Sequence, residues 1–360
     1  MLTITDLRRF AIARSLFRPT TLQRAIERLG FVQADPIRAP ARAQDLTLRH
    51  RVRNYRAGDL ERRYARLPVD EDFFINYGFM PRGHLALMHP RRADTAWDAA
   101  TARRARAILA FVREQGTAHP RAIDLHFAHG TVRNYWGGAS NATTHLLLAM
   151  HYRGLLRVVR RDNGVRVYAA HAHAPPALAL HARLDALVDI LVQAYAPLPS
   201  ATLTHLIRRL RYAVPQWRSD LPAAIGRARG RLSRARVEGT DWWWPADENP
   251  ATAQGAAAEA RVRLLAPFDP IVWDRDRFAR FWQWDYRFEA YTPAAKRERG
   301  YYALPLLWRD EIIGWANLAV RERELRCEAG YVAGRAPRDP RFRTALVDEL
   351  ASMRTFLGLR

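Results

Sequence analysis

The stretch from Arg103 to Ala170 constrains the fold most, because three helical segments are followed there by two short strands. RARAILAFVREQG is amphipathic, and HPRAIDLHFAHG carries Pro120 where it suits the first turn of a helix. Ser140 is predicted to cap the third helix, NATTHLLLAMHYRGLL. Two β-rich runs then flank Asn163-Gly164, a dipeptide typical of tight hairpins. Three helices followed by a hairpin predict a winged-helix unit.

Similar patterns occur on both sides of this stretch. Between about Leu180 and Asp247, three helical segments precede two β-rich runs that turn at Glu238-Gly239. Near the start of the chain, Asp6 is predicted to cap a first helix, and Thr20 or Thr21 a second one. The chain is therefore predicted to be α+β and mostly helical, with three tandem winged-helix units.

The character of the sequence changes beyond Arg261, where β-rich runs predominate and one of them turns at Arg309-Asp310-Glu311. A small sheet followed by a terminal helix is expected there. The linkers most typical of domain boundaries are residues 174–177 and 249–260. The predicted domains are winged-helix unit 1 with the catalytic motif (1–100), unit 2 (101–175), unit 3 (178–250) and a β-rich region with a terminal helix (258–360).

The charge of the chain indicates its class of partner. Fifty-eight Lys and Arg residues outnumber 36 Asp and Glu residues, for a formal charge of +22 and a pI near 11.1. Lys296 is the only lysine, which is typical of GC-rich coding, but such a bias does not explain the small number of acids. A surface with this excess of arginine neutralises phosphates well, so the sequence predicts a nucleic-acid partner.

Other bulk features limit the location and the cofactors. No uncharged stretch of about 18 residues is present, so no membrane partner is expected. The first residues lack the pattern of a secretion signal, which favours a cytoplasmic, nucleoid-associated protein. One cysteine, Cys327, excludes an internal disulfide framework and a zinc site built from a cysteine cluster.

A candidate catalytic pair follows the second predicted helix. After Gly30 the chain FVQADPI is predicted to be extended, so Gln33 and Asp35, two residues apart, share a face. Pro36 also biases Asp35 away from helical geometry. An amide can orient a water while a carboxylate accepts its proton or stabilises positive charge. From these residues alone, an Asx-type turn or a helix cap near Pro36 is the favoured interpretation, and a catalytic pair is the less favoured one.

Several segments, in the same order along most of the chain, resemble the helix-turn-helix DNA glycosylases of the YcaQ/AlkX and AlkZ type. They include the candidate pair and its surroundings. The matching segments are Phe31–Asp35, Ala41–Leu46, Arg263–Asp274, Asp285–Pro293, Lys296-Arg297 and Gly300–Pro305. The resemblance implies a basic, concave body of three tandem winged helices.

The resemblance also implies a chemistry. Its Gln-x-Asp form, here Gln33 and Asp35, is similar to the YcaQ/AlkX branch, which removes N-alkylated purines and unhooks interstrand crosslinks. Asp35 would activate a water and stabilise an oxocarbenium-like sugar, and Gln33 would position that water. The implied protein is a monofunctional, monomeric hydrolase of double-stranded DNA that needs no metal or organic cofactor. Bulky bases would react without complete extrusion from the helix.

Two segments depart from the family pattern. The late hairpin of these enzymes commonly carries Gly-Arg-x-Asp-x-Lys, where this chain has Trp315, Asn317 and Ala319 in place of the three charged residues. Residues 70–81 replace a segment that contains histidine in relatives that unhook crosslinks. These departures indicate a divergent branch with a narrower or different range of lesions.

Several other side chains are candidates for binding roles. Arginines that flank the candidate pair are predicted to contact DNA phosphates: Arg38, Arg42, Arg49 and Arg51. Glu71 and Asp72 are interpreted as the start of a helix, with a catalytic carboxylate pair as the less favoured reading. Trp242, Trp243 and Trp244 are expected in a strand with the outer two in the core, and an exposed tryptophan could stack on a base.

Two other patterns carry little weight. The histidines His171, His173 and His181 lack neighbouring cysteines or carboxylates, so no metal site is predicted from them. Gly137-Gly138 is interpreted as a loop before a helix cap and not as a phosphate-binding loop.

Three functions remain open on the sequence. The first is a glycosylase for N-alkylated purines of the N7-alkylguanine type, and the second is a winged-helix regulator or architectural factor without catalysis. The third, an RNA-processing protein, is less favoured because no stacking module of the RNP type is evident. Asp35 distinguishes the first two, since only an enzyme requires its carboxylate.

Overall fold

The computed structural model describes residues 1–133, 138–171, 176–252 and 259–359. It is an α+β structure with more helix than strand, as predicted. Its α-helices are α1 (Ile4–Ser15), α2 (Leu22–Leu29), α3 (Ala43–Leu48), α4 (Asp59–Arg63), α5 (Arg82–Met88), α6 (Ala99–Gln115), α7 (Pro120–Phe127), α8 (Ala142–Tyr152), α9 (Leu180–Tyr195), α10 (Ser200–Arg209), α11 (Leu221–Arg231), α12 (Arg275–Trp282) and α13 (Pro340–Leu357).

The strands are short, and most form antiparallel hairpins. They are β1 (Val32–Gln33), β2 (Val69–Phe73), β3 (Tyr77–Pro81), β4 (Thr131–Arg133), β5 (Ala139–Asn141), β6 (Leu156–Asp162), β7 (Val165–Ala170), β8 (Leu198–Pro199), β9 (Ser233–Val237), β10 (Thr240–Trp244), β11 (Val262–Leu264), β12 (Leu304–Trp308), β13 (Glu311–Arg321) and β14 (Glu324–Tyr331).

The chain divides into two compact units. One unit combines Met1–Asp59, Val188–Ile207 and Ile225–Arg360, and the other combines Leu60–Leu187 with Arg208–Ala224. In the first unit, β11 to β14 form an antiparallel sheet in chain order, and α13 packs against β11. A second sheet has the order β8-β10-β9. This unit holds the candidate pair Gln33 and Asp35.

The other unit contains the segment that constrained the fold most. Helices α6, α7 and α8 are followed by the hairpin of β6 and β7, as predicted. Asn163 and Gly164 have φ values of 50° and 88°, the left-handed turn geometry expected of an Asn-Gly hairpin. Leu147 and Met150 of α8 are fully buried, so the helix contributes one apolar face to the core.

Two predicted helix caps are wrong by a few residues. The N-cap of α1 is Thr3, whose side chain accepts the Asp6 N–H, while Asp6 lies at the third helical position and its carboxylate accepts the Thr3 N–H. This reciprocal capping box uses the carboxylate from inside the first turn. The cap of α8 is Asn141 instead of Ser140, and its side chain accepts the Thr144 N–H at 2.8 Å. For α2, the cap is Thr21.

The prediction of a helix start at Glu71 and Asp72 is wrong. Both residues lie in strand β2, together with Asp70, and all three are at most 2% exposed. Arginines from other elements neutralise them, including the Arg161 guanidinium at Glu71 and the Arg91 guanidinium at Asp72. Local sequence favoured a helix because acids suit a first turn, but the long-range ion pairs stabilise a strand.

The three consecutive tryptophans form part of the core. Trp242, Trp243 and Trp244 in β10 are 0%, 6% and 5% exposed, so the alternative of an exposed stacking tryptophan is wrong. Trp242 stacks on Phe281 with ring centroids 5.1 Å apart. The Trp243 indole donates a hydrogen bond to Ser200 Oγ, which satisfies its polar end.

Candidate active site

Gln33 and Asp35 are placed by the end of helix α2. The helix ends at Leu29, and Gly30 follows with φ of 70°, a left-handed conformation that glycine adopts at little cost. Phe31 and Val32 are then 1% exposed and anchor the chain in the core. Gln33 and Asp35 are half-buried, so both side chains lie at the boundary between core and solvent.

The amide of Gln33 is oriented by a tryptophan. The Trp273 indole Nε1–H donates a hydrogen bond of 2.9 Å to Gln33 Oε1. Trp273 itself packs on the ring of Tyr195, with centroids 5.4 Å apart. Because the indole is only a donor, this contact fixes which end of the amide faces it.

Asp35 is held both through its backbone and through its side chain. Its N–H donates to the Oε1 of the buried Gln44 at 3.2 Å, and its Oδ1 accepts the Ile37 N–H at 2.9 Å. The second contact is the Asx-type turn that the sequence left open as an alternative. Within the described residues, no hydrogen-bond donor contacts Asp35 Oδ2 and no arginine forms an ion pair with Asp35. One carboxylate oxygen is thus unengaged.

The environment of Asp35 makes its carboxylate more basic than a surface aspartate. Burial raises its pKa above the ordinary value of 3.8, and the hydrogen bond from Ile37 N–H only partly opposes this effect. A desolvated carboxylate without a cationic partner is a stronger proton acceptor once it is ionised. This combination suits a general base or a charge that stabilises a nearby cation.

A buried ion pair fixes the segment that carries Trp273. The Arg51 guanidinium donates two hydrogen bonds to the Asp269 carboxylate, of 2.8 and 2.9 Å, and also bonds Ser15 and Thr47. Arg51 and Asp269 are both 0% exposed. The prediction that Arg51 contacts a DNA phosphate is therefore corrected, since its donors are already satisfied inside the protein.

Arg49 requires a similar correction. Its side chain is 3% exposed and forms an ion pair with Glu349 of helix α13. Glu349 also accepts the Leu264 N–H at 2.9 Å, so this pair connects α13 to strand β11. A guanidinium enclosed in this way cannot reach a phosphate without breaking a buried ion pair.

The other two arginines remain nearer the surface. Arg38 is exposed and lies three residues beyond Asp35. Arg42 is half-buried and directly precedes helix α3. Of the four predicted phosphate ligands, Arg38 is the one whose exposure suits that role best.

Arg38 also lines a cavity of about 990 Å³. Tyr302 and Asn317 line the same cavity, together with Arg321 and Arg326 of the late hairpin. Both signs of charge occur on its walls, because Glu328 lies among these arginines. The cavity therefore has both charged and apolar walls, and Arg38 is its lining residue nearest to Asp35 in sequence.

The loop that carries Tyr302 is tied down by a carboxylate. Glu289 is 5% exposed and accepts the backbone N–H groups of residues 298, 299 and 300. Burial opposes the charge of Glu289, but these three hydrogen bonds outweigh it and lower its pKa. Gly300 has φ of 113°, and a Cβ there would approach the Asn317 amide to 2.5 Å. Only glycine fits at this position.

The residues that replace family charges in the late hairpin have contacts within the protein. Trp315 stacks on Trp284 with centroids 5.9 Å apart, and the Asn317 Nδ2 donates to the Arg299 carbonyl at 2.6 Å. Ala319 is exposed. Asn317 thus holds the loop that leads to Tyr302, and Trp315 packs against Trp284.

The sequence pattern does not indicate individual roles for Trp273, Gln44, Asp269 or Tyr302, although all four lie in segments that carry the family resemblance. Their roles depend on contacts across the fold, such as the bond from Trp273 to Gln33, 240 residues away. The one available signal was that polar and aromatic residues cluster in those segments. This clustering indicates that the segments contribute to a site, but it does not show which side chains contact each other.

The described residues hold no group of three or more His, Cys, Asp or Glu side chains that could bind a metal ion. His173 and Gly137 lie outside the described residues, as do parts of the predicted linkers 174–177 and 249–260. In the described ranges, no helix is both long and apolar enough to cross a membrane.

Two comparisons with known proteins identify the family and the fold of the chain. A family model described as DNA glycosylase AlkZ-like matches residues 26–356. The solved structure of the DNA glycosylase AlkZ from Streptomyces sahachiroi superposes with a TM-score of 0.64 at 15% identity, covering 99% of this chain and 97% of that one. At this identity the structural likeness concerns the fold alone, whereas the family match spans nearly the whole sequence. The chain therefore belongs to the AlkZ-like DNA glycosylase family, and it is a DNA glycosylase.

Proposed function

We propose that the protein is a monofunctional glycosylase that hydrolyses the N-glycosidic bond of N-alkylated purines, of the N7-alkylguanine type, in double-stranded DNA. The observation that carries this proposal is the half-buried carboxylate of Asp35, without an arginine partner among the described residues, beside the oriented amide of Gln33. The family membership supplies the class of reaction.

The chemistry follows from the charge of the lesion. A purine alkylated at N7 is already cationic, so the base departs as a neutral molecule with the electron pair of the C1′–N9 bond. The sugar then develops oxocarbenium character, which the Asp35 carboxylate stabilises. A water positioned by Gln33 attacks C1′, and Asp35 accepts its proton, which leaves an abasic site. A crosslink through N7 has the same leaving group, so unhooking lies within this chemistry.

For the scaffold, we propose that the protein is a monomer built from three tandem winged-helix units. Helices α6 to α8 with the β6–β7 hairpin support one unit, and α9 to α11 with the β9–β10 hairpin support another. In this proposal Arg38 contacts a phosphate next to the lesion. The charge of +22 favours binding of duplex DNA through such contacts.

The proposal is tested by single-turnover excision of 7-methylguanine from a duplex by wild type and Asp35→Asn. We expect the variant to lose about 10²- to 10⁴-fold in rate with unchanged duplex affinity and unfolding midpoint. Asp276→Asn, at an exposed carboxylate paired with Arg280, is the matched control and should retain the wild-type rate. An N7-crosslinked duplex in the same assay measures unhooking. No excision by wild type, or full activity of Asp35→Asn, overturns the proposal.

A further inference from the structure

The hydroxyl of Tyr302 is buried and has no hydrogen-bond partner among the described residues. The residue is 2% exposed, and within the described chain its hydroxyl makes no hydrogen bond. Leaving such a group unsatisfied destabilises the folded protein, and native structures contain few of them. Tyr286 shows the usual arrangement, since its buried hydroxyl donates to the Ala303 carbonyl at 2.7 Å. The orphan hydroxyl of Tyr302 therefore calls for an explanation.

The ring of Tyr302 is fixed by its surroundings. It packs edge to face on Phe288, with centroids 5.2 Å apart and planes at 88°. Phe288 in turn packs on Phe268 at 5.1 Å. The backbone before Tyr302 is held by Glu289, which accepts three consecutive N–H groups that end at Gly300. The hydroxyl is thus presented by a rigid support and not by a mobile side chain.

Tyr302 lies in the neighbourhood of Asp35. It lines the same cavity as Arg38, which follows Asp35 by three residues. Burial raises the pKa of Tyr302 far above its ordinary value, and the negative charge of Asp35 raises it further. The phenol is therefore neutral and remains a hydrogen-bond donor at every pH where the enzyme works.

The described residues of this region include one hydrogen-bond donor and one acceptor that have no partner. The donor is the Tyr302 hydroxyl, and the acceptor is Asp35 Oδ2, which no donor contacts within the described residues. We propose that Tyr302 is a positioning residue for Asp35 whose hydroxyl, in the DNA complex, donates a hydrogen bond to Oδ2 directly or through one water. The bond holds the carboxylate ionised and aimed at the sugar. This inference rests on the proposed role of Asp35.

The test is Tyr302→Phe, which removes the hydroxyl and keeps the ring. The single-turnover rate of 7-methylguanine excision should fall by about 10- to 100-fold at neutral pH, as expected for a hydrogen bond to a charged group. The acid limb of the pH–rate profile should move to higher pH, because Asp35 loses a donor to its ionised form. The unfolding midpoint should stay the same or rise, since an unpaired buried hydroxyl disappears.

Tyr286→Phe is the matched control, because it removes a buried hydroxyl that has a partner. Its unfolding midpoint should fall while the acid limb stays in place. If Asp35→Asn is inactive but Tyr302→Phe keeps the wild-type rate and acid limb, this inference alone is overturned. A lowered midpoint with an unmoved acid limb assigns Tyr302 a structural role and also overturns it. Inactive wild type, or active Asp35→Asn, overturns the proposed function and this inference with it.

Discussion

Asp35 in the candidate active site and Asp72 in strand β2 are both removed from water, but their partners differ. Asp72 is 1% exposed and accepts hydrogen bonds from the Arg91 guanidinium at 2.9 Å and from His89 Nε2 at 2.7 Å. Burial opposes its charge, yet these partners outweigh burial and hold its pKa well below the ordinary value. For Asp35, burial prevails and the pKa is raised.

The difference separates a carboxylate that stabilises the fold from one that is available for chemistry. An ion paired in a dry site is held tightly and cannot accept a proton readily. A half-buried ion with one oxygen unengaged is less stable, and it gains more from a developing positive charge or a water proton. In this protein arginine thus serves as counter-ion to buried acids, including Glu71 with Arg161 and Asp269 with Arg51.

The largest effect on stability is expected at Asp72. Asp72→Asn removes the charge that compensates Arg91, so the free energy of unfolding should fall by about 3–5 kcal/mol. Urea unfolding followed by circular dichroism measures the change. Asp162→Asn is the control, because Asp162 and its partner Arg160 are 43% and 46% exposed, and it should change the free energy by at most about 1 kcal/mol. Equal effects of the two substitutions would contradict the stabilising role of the buried ion pair between Asp72 and Arg91.

Asp72 also shows where the sequence stops being informative. The local pattern favours a helix start at Glu71 and Asp72. The partner of Glu71 is Arg161, 90 residues away, and no residue near Glu71 in the sequence indicates this ion pair. The same limit explains Arg51, whose partner Asp269 lies 218 residues away. Ion pairs between distant segments depend on the completed fold, so the burial of these charges could not be derived from spacing.

Local features were predictable for the opposite reason. The hairpin at Asn163-Gly164 follows from the conformations that these two residues adopt readily. The extended segment with Gln33 and Asp35 follows from the helix stop at Gly30. The residues alone left open whether Asp35 forms a turn or takes part in catalysis. In the structure its Oδ1 forms the turn, and no hydrogen-bond donor among the described residues contacts Oδ2.

Asp35 and Asp72 should lose their ionised forms in different pH ranges. The pKa of Asp35 is raised, so its ionised form, and with it the excision rate, should be lost at a higher pH than an exposed aspartate would allow. Below that pKa the rate should fall about tenfold per pH unit. The pKa of Asp72 is lowered, so its stabilisation is complete above the ordinary value of 3.8 and is lost only as pH falls below it.

Because the pKa of Asp35 is raised and that of Asp72 is lowered, we expect a pH range in which the protein is still folded but excises the base slowly. Single-turnover excision of 7-methylguanine, corrected for spontaneous depurination, and circular dichroism on the same samples would define it. If the rate and the folded fraction decline together, the acid limb reports unfolding and the contrast between Asp35 and Asp72 fails.

The smallest effect is expected for the arginines. Like the acids, some are buried with an ion-pair partner and others are exposed. Arg91 and Arg51 have buried carboxylate partners, whereas Arg38 is exposed three residues beyond Asp35. Arg38→Ala should weaken duplex binding several-fold for all sequences and reduce the slope of log Kd against log salt by about 1, as the loss of one phosphate contact requires. Arg341→Ala, at a 70% exposed side chain paired with Asp339, is the control and should leave the slope unchanged. An unchanged slope for Arg38→Ala would mean that exposure close to Asp35 in sequence is not sufficient to identify a phosphate ligand, and the DNA contacts would then have to come from arginines elsewhere on the surface.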